Sequence, residues 1–121
     1  MHFVSRSGVD IYCGRNNLQN DKLTLREAHR SDTWLHTQKI HGTHVIIDTM
    51  GNEPDEVTIE DAACIAAYYS KGRGGTKVPV DYTKVKYVKK PSGAKPGMVI
   101  YTDYKTIFVT PDEERVNSMK V

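Results

Sequence analysis

Apolar and polar residues alternate from the first residues of the chain, and the period changes three times before residue 70. Residues 3–5 and 9–12 alternate on either side of Ser7-Gly8, which predicts a β-hairpin. Residues 14–17, Gly-Arg-Asn-Asn, predict a turn, since Gly and Asn tolerate positive φ. Thr24 and Glu27 stand at capping-box spacing and predict a short helix through Ala28 or His29. Residues 33–37 and 44–48 read as strands separated by Gly42, and the apolar run Val45-Ile46-Ile47 suits a central strand. Residues 58–70 give the strongest helical signal. Thr58 stands at its cap, and Glu60 and Asp61 complement the positive end of the helix dipole. Its apolar stripe of Ile59, Ala62, Ala63, Ala66 and Ala67, with Ile65, is slim enough for close approach to a sheet. Residues 77–82 alternate again, and Pro79 predicts an edge position because it has no N–H for a ladder. Residues 85–88, 98–101 and 106–109 are further strands, and 91–97 is a Pro/Gly loop. This order predicts one α+β domain over residues 1–121, with a mixed or mostly antiparallel sheet and about two helices packed on it.

Composition narrows the class without naming a function. At 121 residues, 38% hydrophobic and 26% charged, the chain is the size and make-up of an ordinary globular domain. No run approaches the roughly 18 apolar residues of a membrane span, and the start lacks the basic and apolar regions of a leader. A cytoplasmic protein with no membrane partner is therefore expected. Cys13 and Cys64 lie in apolar contexts without metal-ligand spacing and read as buried free thiols, a disulfide between them being the alternative. Net charge is only +2, but its distribution is uneven. Residues 71–95 hold eight basic side chains against one acid, Asp81, so this segment carries +7 and the remainder −5. Such a segment attracts polyanions, or else forms a solvated lysine-rich surface.

Candidate chemistry concentrates in residues 12–45, which hold Arg15, side-chain amides that include Asn16, Asn17, Gln19 and Asn20, the only Trp and four of the five His. Buried amides, guanidinium and imidazole each demand a partner, so this composition suits a recognition surface better than a plain core. A metal site built from His36, His41 and His44, with Asp32 and Asp48 nearby, lacks the helical pairing of zinc enzymes, and only two of the three His would share a strand face. No metal or other cofactor is expected. Cys13 has no adjacent base, and Lys71-Gly-Arg-Gly-Gly-Thr76 follows a helix where a phosphate loop would precede one. RNA binding uses more of the features together: basic groups for phosphates, amides for base edges, and Trp34, Tyr12, Tyr68, Tyr69 or Tyr82 for stacking. Trp34 and His44 suit a core equally well.

Seven blocks then carry a resemblance. Gly14-R-N-N-L-Q-N-D-K-L-Thr24, Asp32-T-W-L-H-Thr37 and His41-G-T-H-V-I-Ile47 are followed by Asp61-A-A-C-I-A-A-Y-Y-Ser70, Val78-P-V-D-Y-Thr83, Val85-K-Y-V-K-Lys90 and Gly93-A-K-P-G-M-V-I-Tyr101. In order and spacing, over about residues 3–110, they resemble the NFACT-R domain of the ribosome-quality-control and fibronectin-binding-protein-like NFACT family. The resemblance implies a non-catalytic RNA-binding module that contacts transfer RNA or ribosomal RNA, with the large ribosomal subunit as a further partner. By position it points to Arg15, Asn16, Asn17, Asn20, Asp21, Asp32, Trp34, His36, Gly42 and His44, with Lys89 and Lys90. The other basic side chains of the 71–95 segment, Lys71, Arg73, Lys84, Lys86 and Lys95, are expected to add phosphate affinity. Cys13 and His41 depart from the family pattern, which usually has an aliphatic residue and a proline there. Full-length members carry further domains, so an excised domain or a stand-alone member is expected. The alternative function is a protein-interaction module for a ribosomal or other partner protein.

Overall fold

A computed structural model describes residues 1–121. Six strands form the main sheet: β1 (His2–Val4), β2 (Asp10–Cys13), β3 (Thr33–Thr37), β4 (Val45–Ile47), β5 (Val78–Lys84) and, last in the chain, β8 (Lys105–Val109). β6 (Val88–Lys89) and β7 (Ile100–Tyr101) make a separate small ladder. The main sheet runs β1-β2-β4-β3-β5-β8, and every pairing is antiparallel. Three helices complete the α+β fold: α1 (Asn17–Lys22), α2 (Glu56–Tyr68) and α3 (Glu113–Met119). No helix is long and apolar enough to cross a membrane.

Strand alternation divides the apolar residues between two faces. Leu35, Val45 and Ile47 join Ile11, Val80 and the alanine-rich side of α2 in the larger core. The intervening Trp34 and Ile46 meet Val85 and Val88 on the other face. This explains the unbroken Val45-Ile46-Ile47 run: β4 lies next to the middle of the sheet and is covered on both sides. Ala62, Ala63, Ala66 and Ala67 are fully buried, so small side chains let α2 approach the strands closely. Cys13 and Cys64 are both free and buried in this core.

Three local expectations give way to tertiary contacts. The first helix starts at Asn17, capped by the Asn16 side chain, which accepts from the Gln19 amide at 2.9 Å. Thr24 falls inside a π-helical turn over Leu23–Glu27, because its hydroxyl is engaged by His44 instead of capping. α2 begins two residues before Thr58, with Asp55 as its cap accepting from the Thr58 amide at 2.8 Å. β5 is an interior strand despite Pro79. The Gln38 amide donates to the Pro79 carbonyl at 2.9 Å just past the last rung of β3, so the missing N–H falls where that ladder ends. Residues 85–87 form a 3-10 turn ahead of β6, and α3 lies where no element was expected.

Candidate functional site

The face of the sheet opposite α2 carries a cleft of about 380 Å³ at the C-terminal end of β3. Trp34 forms its fully buried floor, and His36, two residues along the same strand, points the same way. Their rings lie parallel at 5.8 Å, His44 meets Trp34 edge-on at 5.4 Å, and Tyr101 tilts against it at 4.7 Å. Asn17 from α1 and Pro96, Gly97 and Met98 from the 90–99 loop close one side, while Lys39, Ile40, His41 and Gly42 close the other. No carboxylate lines it. A second cleft of about 430 Å³ at the other end of β3 is lined by Glu53, Glu56 and Asp103 with Lys84 and Lys105, a poorer surface for a polyanion.

Several of the candidate residues build the walls of the first cleft. Asp21 Oδ1 accepts from the Gly97 amide at 3.0 Å, and its Oδ2 lies 3.1 Å from Lys90 Nζ. Lys90 in turn donates to the Lys95 carbonyl at 2.7 Å and the Met98 carbonyl at 3.3 Å. His44 reaches the same loop, 3.2 Å from the Gly97 carbonyl, with its Nδ1 2.8 Å from the Thr24 hydroxyl. A carbonyl only accepts, so the ring proton sits on Nε2 and Nδ1 accepts from Thr24. Burial, followed by the neighbouring His36, pushes the His44 pKa down to about 4. Burial also lowers the His36 pKa, against the Thr37 and Gly42 carbonyls, and His36 Nδ1 donates to the Thr37 carbonyl at 2.6 Å. Both imidazoles are therefore neutral donors held in place.

Two glycines are needed for this closeness. A Cβ on Gly42 would meet the Thr37 hydroxyl at 2.6 Å, and one on Gly97, whose φ is +83°, would meet the Asn17 amide oxygen at 2.6 Å.

Other candidates sit elsewhere or inside the fold. Asn20 is buried, its Oδ1 accepting from the His44 amide at 3.2 Å. Asp32 is buried at the far end of β3, accepting from the amides of His29 at 2.9 Å and Thr49 at 3.2 Å. Arg15, Asn16 and Asn17 are exposed at the start of α1. The basic run does not form one patch. Lys95 is exposed on the 90–99 loop and Lys89 just before it, while Lys71, exposed, donates its amide to the His41 carbonyl at 3.0 Å beside the opposite wall, and Arg73 is exposed two residues on. The Arg73 guanidinium covers the Tyr68 ring at 4.1 Å. Lys84 pairs with Glu53 at 3.1 Å beyond the far end of the sheet, and Lys86 lies over Tyr87 at 5.1 Å.

Tyr101, Gly97, Met98 and Lys39 were missed as site residues by reading the sequence. The first three belong to the block Gly93–Tyr101, whose unusual Gly and Pro spacing was the available signal; Lys39 carried none. Asp81, a buried acid in an otherwise basic run, steadies this wall: it accepts from the Tyr101 hydroxyl at 2.6 Å and the Gln38 amide at 3.0 Å. Trp34 Nε1 is the one buried side-chain nitrogen or oxygen without a partner. Such an orphan costs about 1–3 kcal/mol.

The chain is an antiparallel α+β domain with an aromatic cleft on one face of its sheet. The profile of the NFACT protein RNA binding domain matches residues 1–103, and the chain belongs to that family. It is similar to the Rqc2 homolog RqcH of Bacillus subtilis (strain 168), 54% identical over 118 residues, which are 98% of this chain and 20% of the relative. Similarity to the Rqc2 homolog RqcH of Streptococcus pneumoniae serotype 2 (strain D39 / NCTC 7466) is 49% over 120 residues, 98% of this chain and 21% of that one. Among solved structures, the C-terminal of the fibronectin/fibrinogen-binding protein from Streptococcus suis matches with a TM-score of 0.95 and 42% identity. That match covers 99% of this chain and 48% of the other. The chain spans about a fifth of the length of these curated relatives.

Proposed function

We propose that this domain is a non-catalytic module that binds structured RNA, transfer RNA or ribosomal RNA, in a cytoplasmic role tied to ribosome quality control. The observation that carries the reading is the carboxylate-free cleft. Trp, His and Tyr rings line its interior, Lys39 lines its rim, and Lys71, Lys89 and Lys95 are exposed on segments that adjoin it. Phosphates would meet the lysines, and unpaired bases would meet rings and amides. Membership of an RNA-binding family and similarity to Rqc2 homologs support the same reading. Arg15, Asn16 and Asn17 are exposed beside the cleft and are the candidates for direct contact. Asn20, Asp21, His44 and Lys90 would act through the walls that they hold, and Asp32 by fixing the approach to β3.

Arg15→Ala tests the reading, because that side chain is exposed and its removal spares the fold. Binding of transfer RNA, measured by fluorescence anisotropy, should weaken by about 5–30-fold, the worth of one guanidinium contact of about 1–2 kcal/mol. The melting temperature should stay unchanged. Unaltered affinity for both transfer RNA and a ribosomal RNA fragment would remove Arg15 from the interface. Protein binding is the second reading, favoured by the exposed Leu18, Ile40 and Met98 around the same cleft. Association with ribosomal particles that survives ribonuclease treatment would support it over RNA binding.

A further inference from the structure

We infer that two adjoining turns at one end of the main sheet form a grip for the phosphate backbone of RNA, built from Lys39, Lys71, Arg73 and Lys77. It rests on the RNA-binding reading above and deepens it, naming the chemical group held and the side chains that hold it.

β3 ends at Thr37 and its antiparallel neighbour β5 begins at Val78, so residues 38–43 and 70–77 meet at the same end of the sheet. The two turns are tied together. The Lys71 amide donates to the His41 carbonyl at 3.0 Å, and a Cβ on Gly72 would stand 3.0 Å from the Ile40 side chain. Together they carry Lys39, Lys71, Arg73 and Lys77 and no acid. All four residues are exposed, and none takes part in an ion pair within the fold. Their charge is therefore uncompensated, unlike that of Lys84 or Lys90.

Backbone geometry separates these turns from an ordinary solvated surface. Lys39 has a φ of +59° and Lys77 a φ of +51°, in the left-handed region that few residues other than glycine adopt. Of the four non-glycine residues with positive φ, two are lysines of this group, one on each turn. Glycine or asparagine would make either turn at lower cost, so the lysine side chain is what each position keeps. Arg73 is braced as well. Its Nε donates to the Tyr68 carbonyl at 2.7 Å and its guanidinium lies 4.1 Å over the Tyr68 ring. Its terminal nitrogens have no partner in the fold, which leaves an ordered fork for an oxyanion. An acidic peptide would meet the same charges. The turns offer it no strand edge, however, and one exposed large apolar side chain, Ile40. A phosphate backbone needs only spaced cations.

Lys39→Gly with Lys77→Gly separates the side chains from the backbone they strain. The melting temperature should hold or rise, because glycine accepts both left-handed positions. Transfer RNA binding near about 0.1 M salt should weaken at least about tenfold, and the slope of log affinity against log salt should fall by about two. Met50, at φ +53° and exposed beyond the opposite end of β3, is the control. Met50→Gly should leave affinity within about twofold of the parent. Unchanged affinity and slope in the lysine pair, with the parent binding transfer RNA, would overturn the grip and leave the RNA reading standing. If the glycine pair unfolds, Lys39→Asn with Lys77→Asn should lose the same affinity at the parent's melting temperature, since asparagine accepts the same φ. Loss of stability there too would assign the lysines to the fold and overturn the grip. Poly-glutamate that displaces transfer RNA from the parent, and binds the glycine pair more weakly, would assign the turns to an acidic protein and overturn it as well. If the parent binds neither transfer RNA nor a ribosomal RNA fragment at low salt, the RNA reading itself falls.

Discussion

At the scale of single residues, His44 shows how this site uses polar side chains. Its ring is buried, donates to the Gly97 carbonyl and accepts from the Thr24 hydroxyl, which leaves no nitrogen for a ligand. Burial pushes its pKa from the ordinary value of about 6.5 down to about 4. Between those values the unfolded chain binds a proton that the folded chain refuses, so stability rises with pH across that window. The contribution is fully present above about pH 6.5 and is lost as the pH falls through about 4; at full size it is about 3 kcal/mol. His36, also shifted down, adds to the same slope. Urea denaturation of His44→Asn should therefore show two changes. Stability above about pH 7 should drop by about 1–3 kcal/mol, because the bond to Gly97 is lost. The acid limb between about pH 6.5 and 4.5 should be shallower than in the parent protein. An equal slope in both proteins would mean that His44 ionises normally inside the fold.

At the scale of elements, local chemistry predicts that a helix exists better than where it begins. Asp55 and Thr58 are both good caps three residues apart. The choice falls to Asp55 because the Ser7 hydroxyl donates to it at 3.1 Å and Ser5 engages the Thr58 hydroxyl at 2.9 Å, contacts from a distant hairpin. The same shift changes the meaning of Asp61. Read as a dipole partner in the first turn, it is instead a buried carboxylate that accepts from the Arg6 amide at 2.9 Å and Arg115 Nε at 3.0 Å. Nothing in the sequence links residues 6, 61 and 115, so this clamp between the β1–β2 hairpin, α2 and α3 was not legible. The strands, the alanine face of α2 and the recognition segment were legible, because each is written in a local period or an unusual composition. Asp61→Asn leaves Arg6 and Arg115 facing a neutral amide, with Glu60 still beside both, and should cost about 1–3 kcal/mol. Hydrogen exchange should quicken first at Glu113–Met119, since Arg115 docks that helix. Glu60→Gln, at a half-exposed carboxylate beside it, should cost under about 1 kcal/mol. Uniform loss of protection in Asp61→Asn would show that α3 has no separate stability.

Over the whole molecule, the question is which lysines of a nearly neutral protein act together. Along the chain, residues 71–95 form one basic run, but folding sends it to three places. The register Thr33↔Lys84 sets Lys84 and, beyond it, Lys86 at the end of β3 away from the cleft, where Glu53 offsets part of the charge. Lys89 and Lys95 remain exposed beside the loop that forms the cleft wall, and neither has an acidic partner. Lys90 lies between them in sequence but is committed to Asp21 and two carbonyls, so its charge reversal would confuse binding with loop collapse. If the cleft face meets RNA, Lys89→Glu with Lys95→Glu should weaken transfer RNA binding at least tenfold near 0.1 M salt. It should also reduce the slope of log affinity against log salt by about two, the loss of two phosphate contacts. Lys84→Glu with Lys86→Glu makes the same change in net charge and should alter affinity by less than about threefold, because screening confines each charge to about 10 Å. Equal losses from both pairs would indicate a response to total charge alone. A larger loss from Lys84 and Lys86 would move the interface to the opposite end of the sheet.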